Sequence, residues 1–382
     1  VGSIDRNALP FSVLRKVGNL TYDGEKIMDR YDPSNPSIKW QRQENRNIGF
    51  DASLFNNRVN LVVNYYNNDT RNLLDEKKIA ASTGRLAVTA NVASVNNKGW
   101  EISLRTLNIR TDDFSWVTSV NFTKNKDKVT ETYYQDLSEI SASTNSTFES
   151  LYSLYIQGQP VRAFYGYKFA GVDPYTGNTL AYVDGFDDDG NRLGMLNAEG
   201  KYVYNMDNDL TVQLANASRS YLGRSDPPIT GGFTTQFNYK RFSLFAQFTY
   251  MTGHLARSFQ YYSGGTAYAA AKNVLKIEAN RWRKPGDLTD IPRYDTGRTE
   301  YLYQLFDFRF EKGDYLKCNN ISLGYNLEQS ICDKLHITRA RLNFNMANVF
   351  TLTKFRGIDP ETKGAFTYPS ARSYTFSLSI GI

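Results

Sequence analysis

Apolar and polar residues alternate one by one along most of this chain, the period of strands rather than of helices. The last stretch is the clearest. Tyr374, Phe376, Leu378, Ile380 and Ile382 are all large and apolar, whereas the odd positions from Ser373 onward are Ser, Thr or Gly. Successive side chains of a strand point to opposite faces, so this strand has one apolar face and one small polar face. The same alternation runs through Ile48, Phe50, Ala52 and Leu54, reverses at Asn56-Asn57, and returns through Val59, Leu61, Val63 and Tyr65. Asn tolerates positive φ, so this pair predicts a hairpin.

Further strands are predicted at 100–105, at 114–122 after a turn at 111–113, and at 162–170, turning at 173–177 and returning over 179–184. Others follow at 229–239, 242–250, 321–327, 340–346 and 373–382. Residues 1–40, 75–96, 134–160, 254–314 and 351–371 read as loops, as does an acidic stretch reaching about 228. The count is about eleven strands. Short turns and long loops alternate strictly, so the turns share one end and the loops the other. A transmembrane antiparallel β-barrel has this layout, its apolar face toward lipid and its polar face lining a lumen. On this reading Tyr374, Phe376, Leu378, Ile380 and Ile382 face lipid. A soluble stack of sheets, burying the same apolar faces as core, is the competing architecture.

Orientation follows from parity. With the short turns periplasmic, the last strand runs inward, and so does the strand at 47–54. Residues 1–40 then belong to an extracellular loop, and an odd number of strands cannot close an ordinary barrel. The expectation is that residues 1–382 are the C-terminal half of a barrel of about 22 strands.

Composition narrows the function. Charged residues are 22% and the mean hydropathy is −0.51, which together with the lack of a long apolar run excludes a helical membrane protein. Aromatics reach 14%, which suits interfacial girdles or stacking loops. The net charge of +6 is spread among acidic residues and leaves no nucleic-acid footprint. Two Cys and two His are too few for a zinc site or a disulfide framework. Cys318 and Cys332 should lie on the order of 30 Å apart and stay unbridged. No catalytic constellation is present, since His254 and His336 have no motif partner, so no enzyme is read here. No cofactor motif occurs. Asp184, Asp187 and Asp189, around Gly190, are candidates for Ca2+, set against a plain solvated acidic loop. Tyr261, Tyr262, Tyr268 and Trp282 sit among Gly, Ser and Arg in the longest loop. They are candidates for stacking on sugar rings or for contact with a partner protein, set against packing within the loop.

Several blocks are recognisable together: Asn35-Pro36-Ser37-Ile38-Lys39-Trp40; Asn47-Ile48-Gly49-Phe50 with Leu54-Phe55-Asn56-Asn57-Arg58; Asn97-Lys98-Gly99-Trp100-Glu101; and Phe164-Tyr165-Gly166-Tyr167. Later come Gly231-Gly232-Phe233, Asp314-Tyr315-Leu316-Lys317 with Asn320 to Tyr325, Asn348 to Lys354, and Asp359-Pro360-Glu361. In this order and spacing the chain resembles the C-terminal half of SusC-like TonB-dependent transporters. The resemblance implies a 22-stranded barrel in the outer membrane of a Gram-negative bacterium and an N-terminal plug upstream of Val1. It also implies contact of that missing part with TonB–ExbB–ExbD, and a SusD-like lipoprotein lid. The implied activity is import of a nutrient, an oligosaccharide ahead of an oligopeptide. A passive porin and a soluble β-rich glycan-binding or hydrolytic protein are the alternatives.

Overall fold

The computed structural model describes residues 13–22, 25–32, 35–78, 87–133, 156–182, 195–196, 201–206, 220–257, 276–293, 306–361 and 368–382. Nine strands form one antiparallel sheet: β3 (Arg42–Leu54), β4 (Val59–Lys78), β5 (Ala87–Arg110), β6 (Phe114–Thr132), β13 (Ile229–Tyr239), β14 (Phe242–Thr252), β17 (Tyr315–Asn326), β18 (Arg339–Thr353) and β19 (Ser373–Gly381). Chain order is kept across the sheet. Among the described residues β3 and β19 each have a single neighbour, so the sheet has two open edges.

The predicted faces are realised row by row. Phe50, Val63, Ile102, Phe122, Gly231 and Tyr250 stand opposite one another across six strands. Leu323 continues the band opposite Leu244 and Phe344, and Phe344 faces Phe376. This side is open to the surroundings: Phe50 is 62% exposed, Leu378 57% and Phe376 80%. Tyr374, Ile380 and Ile382 are exposed with them. Aromatic pairs concentrate toward the turn end, where Trp116 stacks on Phe237 at 5.4 Å and Phe242 meets Tyr325 at 4.7 Å. Tyr65 and Trp100, 4.9 Å apart, lie on the same face toward the loop end. The opposite face is polar and internally hydrogen bonded: Ser103 donates to Asn121 (2.9 Å), Asn238 to Ser115 (3.0 Å), and Arg341 to Ser243 (3.0 Å).

Bulges keep the faces in phase, two of them beside the apolar band. Asn319 in β17 and Asn108 in β5 each fall at a shift of register. Past Asn319 the outward residues change from odd (Ile321, Leu323) to even, so Cys318 meets Phe248 and Leu316 meets Tyr250. Such one-residue insertions re-aim every side chain beyond them.

The sheet is sheared as a barrel wall must be. One row runs from Leu54, the last residue of β3, through Val59, Thr106, Thr118, Thr235, Ala246, Ile321 and Met346 to Tyr374. At the far side Tyr374 lies seven residues before the end of β19. With the turns at one level, that stagger over eight strand-to-strand steps of about 4.8 Å corresponds to a tilt of roughly 30°. Barrel strands tilt by about 35–45°.

The turn end is compact. Residues 55–58 hold Phe55, Asn56 and Asn57 at positive φ. Residues 111–113 and 240–241 are tight turns, and a short helix, α1 (Gln329–Lys334), joins β17 to β18. Cys332 is buried in that helix and Cys318 in the wall; both are free thiols.

Several expectations are corrected at the loop end. The alternation predicts about eleven strands; among the described residues nine form the sheet, and β6 pairs directly with β13. Residues 162–184 instead hold β7 (Ala163–Gly166), β8 (Phe169–Val172) and β9 (Thr179–Tyr182), with β10 (Met195–Leu196), β11 (Tyr202–Met206) and β12 (Ser220–Arg224) following in the stretch read as an acidic loop. β7 pairs with β12, while β8, β9, β11 and β10 make a separate small sheet. Much of 75–96 is strand rather than loop, since β4 reaches Lys78 and β5 begins at Ala87. Residues 1–40 contain a hairpin, β1 (Val13–Tyr22) and β2 (Glu25–Asp32). The 254–314 stretch contains the paired strands β15 (Leu255–Arg257) and β16 (Phe310–Lys312).

Candidate functional site

The loop side is a built structure pinned to the upper wall. β6 carries Asp127 well above the apolar band. Its carboxylate accepts a close hydrogen bond from the Arg224 guanidinium and a second, at 2.8 Å, from the Val161 amide. Both side chains of the ion pair are about 85% buried. Arg224 Nε also donates to the Asp226 carbonyl at 2.8 Å. The backbone adds Asn125 N–H to Pro228 (2.8 Å) and Val129 N–H to Gln159 (2.9 Å). One strand thus holds both ends of the excursion between β6 and β13.

Above this anchor lies an aromatic core. Phe164, Tyr165, Tyr167 and Phe306 are each at most 5% exposed. Phe164 contacts Phe310 at 4.4 Å and Phe169 meets Phe308 at 5.0 Å. The Phe169 amide donates to Asp307 at 3.0 Å. Burial pushes the Asp307 carboxyl above its ordinary range, against the hydrogen bonds from Phe169 and Phe308 that favour the carboxylate. Burial likewise pushes the Tyr165 hydroxyl up.

The loop at 276–293 docks on the turn between β8 and β9 through Trp282. Its indole N–H donates to the Pro174 carbonyl at 2.8 Å, and its ring covers Gly177, which has φ +72° and no room for a β-carbon. The Gly286 amide reaches Pro174 and the Arg293 amide reaches Gly177. Asp173 shapes the receiving turn by accepting from Tyr175 N–H (2.9 Å) and Thr176 hydroxyl (2.7 Å). The turn read from the sequence as a strand reversal is therefore also the seat of Trp282.

Beside this clamp opens a cleft of about 1030 Å³. Phe169, Phe308 and Phe310 supply its aromatic side, and Arg281, Arg283 and Arg356 its cations. Glu278, Asp287, Asp290 and Glu311 supply carboxylates. Apolar rings with charges of both signs suit a polar organic ligand held by stacking and forked hydrogen bonds.

Of the candidates named from sequence, Trp282 lies next to the cleft, between its lining residues Arg281 and Arg283, with its ring spent on the clamp. Tyr261, Tyr262 and Tyr268 lie outside the described residues, as do Asp184, Asp187 and Asp189. Among the described residues no group of three or more His, Cys, Asp or Glu could hold a metal ion. His254 is buried at the loop end, where its carbonyl accepts from the Gly313 amide. Sequence reading missed the cleft itself. Phe169, Arg281, Phe308 and Arg356 come from four separate segments, and no spacing connects them.

A family model described as "TonB dependent receptor-like, beta-barrel" matches residues 17–235, more than half of the chain. TonB-dependent receptor P3 of Formosa agariphila is 26% identical over 392 residues, covering 97% of this chain and 36% of that protein. TonB-dependent receptor SusC of Bacteroides thetaiotaomicron is 24% identical, covering 91% of this chain and 32% of that protein. A solved structure of the RagAB peptide importer in the closed-closed state superposes with a TM-score of 0.73 at 25% identity, covering 98% of this chain and 38% of that one. The chain spans about a third of the length of these relatives. The chain belongs to the TonB-dependent receptors and forms part of the β-barrel of a SusC-like member, an outer-membrane protein of Gram-negative bacteria.

Proposed function

We propose that the intact protein imports a nutrient across the outer membrane by a TonB-driven cycle, and that this part supplies wall, lumen and capture surface. The observation that carries the reading is the loop side. A passive pore needs a constriction, whereas here an aromatic core, a docked loop and a 1030 Å³ cleft are built onto the wall. In this reading a SusD-like lipoprotein closes over the loops, ligand is held between the two, and TonB–ExbB–ExbD acts through an N-terminal plug. The 254–314 region, with Tyr261, Tyr262 and Tyr268 as its stacking candidates and Trp282 as the clamp that seats it, makes part of the ligand or lid contact. Any Ca2+ at Asp184, Asp187 and Asp189 would order the acidic loop.

An oligosaccharide is the first substrate class, since aromatic faces and forked hydrogen bonds hold sugar rings. An oligopeptide is the second, favoured by the paired signs of charge in the cleft and by the peptide importers among similar structures. The test uses the intact transporter in its own cells. Growth on the imported nutrient should need TonB, and mass spectrometry of compounds released from the purified protein should give one class. Uptake that continues without TonB would refute active import and restore the porin reading.

A further inference from the structure

Near the turn end, the outward face of the wall is cut by an apolar trench of about 620 Å³. Two outward rows make its sides. Leu244, Leu323, Phe344 and Phe376 form the row farther from the turns, and Phe242, Tyr325, Leu342 and Leu378 the nearer one. Between them runs an inward row, Ser243, Gly324, Asn343 and Ser377. Residues of all three rows line the trench, so sheet backbone forms its floor. The rings stack along the rows and not across the gap: Phe242 meets Tyr325, and Phe344 meets Phe376, each at 4.7 Å.

The trench is not level. Phe242 is the first residue of β14, beside the turn at 240–241, whereas Leu378 lies three residues before the end of β19. With the turns at one level, the trench climbs by roughly 9 Å from β14 to β19. At its high end the outward side chains are Leu342, Phe344, Phe376 and Leu378, all apolar. Its low end opens beside four charges. Lys240 lies 3.8 Å from Asp113, and Arg241 lies 3.0 Å from Glu328. Each of these side chains is at least 41% exposed. Tyr239 and Phe242, which line the trench, flank the two cations in sequence.

Charges of both signs at one end, with an apolar trench leading away from them, fit an amphiphile. The two cations and two carboxylates cancel, so the matching head is a zwitterion. A guanidinium takes a phosphate by a fork of hydrogen bonds, and a carboxylate takes an ammonium. We propose that the trench holds one membrane phospholipid with a zwitterionic phosphoethanolamine head. Its phosphate sits at Arg241 and its ammonium at Glu328, and an acyl chain lies along the trench against Leu323 and Leu342. Short turns of such barrels are periplasmic, so this lipid belongs to the periplasmic leaflet. The site faces away from the lumen and does not depend on the import reading.

The test is native mass spectrometry of the intact transporter, delipidated in detergent and titrated with phosphatidylethanolamine or phosphatidylglycerol. The protein should retain one phosphatidylethanolamine. Leu323→Trp fills the trench and should weaken that retention by about tenfold or more, whereas Leu104→Trp, outward on β5 opposite Val120, should not. Arg241→Gln should weaken both lipids about tenfold. Glu328→Gln should abolish the preference for phosphatidylethanolamine. Both charges are exposed, and their variants assemble whatever Leu323→Trp does. Unchanged binding in these two variants would overturn the site, as would equal retention in Leu323→Trp and Leu104→Trp. A preference for phosphatidylglycerol would overturn the head assignment. A dimer that Leu323→Trp breaks would make the trench a contact between copies and overturn the lipid.

Discussion

The depth of each outward residue follows from the shear of the sheet and can be tested on one strand. Ile321, Leu323 and Tyr325 lie five, three and one residues from Asn326, the turn end of β17. At about 3.3 Å per residue and roughly 30° of tilt, they stand about 14, 9 and 3 Å above the turn level. The lipid-facing band of such a barrel is about 25 Å tall, which puts Ile321 near the midplane and Tyr325 at the interface. An arginine on the lipid face costs about 2–4 kcal/mol at the midplane and about 0–1 near the interface. Ile321→Arg should therefore weaken folding into bilayers by about 30- to 1000-fold, at about 1.4 kcal/mol per tenfold. Leu323→Arg should fall in between, and Tyr325→Arg should change little. Ser322→Arg faces the lumen between Phe245 and Asn345 and should cost less than about 1 kcal/mol. Ser379 would be a poor control, since it stands opposite Arg341. The assay is refolding of the intact transporter from urea into lipid vesicles, with the folded fraction read from the mobility of unheated samples. A flat series, or a Ser322→Arg cost equal to that of Ile321→Arg, would refute the assignment of faces.

Two further outcomes are expected. Asp127→Ala leaves the Arg224 guanidinium buried without its carboxylate and takes an acceptor from Val161, so the loop anchor should lose about 3–5 kcal/mol; limited proteolysis should then cut within 156–182, and an unchanged digest would mean the excursion is held elsewhere. Cys318 and Cys332 should each take one alkyl group in urea without reductant and resist alkylation when folded, and a mass lacking both additions would mean they are bridged.

How much of this was legible depends on contrast between faces. Where one face meets lipid and the other water, as from Ile48 to Tyr65, period-two alternation located the strands and the Asn56-Asn57 turn fixed their register. Just above the apolar band β4 and β5 carry polar residues on both faces. Asn67, Asn68 and Asp69 oppose Lys98, Asn97 and Asn96, so no alternation marks these residues as strand. The opposite failure occurs at 162–184, where true strands alternate but pair within the loops. Period two reports that a strand is half-buried and is silent on its partner. The turn-and-loop parity survived this error because β8 and β9 leave the sheet as a pair. Moving an even number of strands out of a meander reverses no other strand, so β3 and β19 still run the same way, as the parity requires.

The polar extensions also explain how the capture side stays in place. β6 runs from Phe114 to Thr132, and Asp127 lies thirteen residues up it. At the same rise and tilt that is about 37 Å above the turns, some 12 Å beyond the top of a 25 Å apolar band. A loop sheet built on flexible connections would lose its ligand geometry with every fluctuation. Here the wall itself continues past the lipid, and the Arg224 guanidinium, the Val161 amide and the Gln159 carbonyl attach to that continuation rather than to another loop. The residues that obscured the strands in the sequence, polar on both faces, are those that such an extension needs. It must stay soluble on the outside while offering Asp127 and backbone groups on the inside. The legible wall and the illegible site are joined through that stretch of β6.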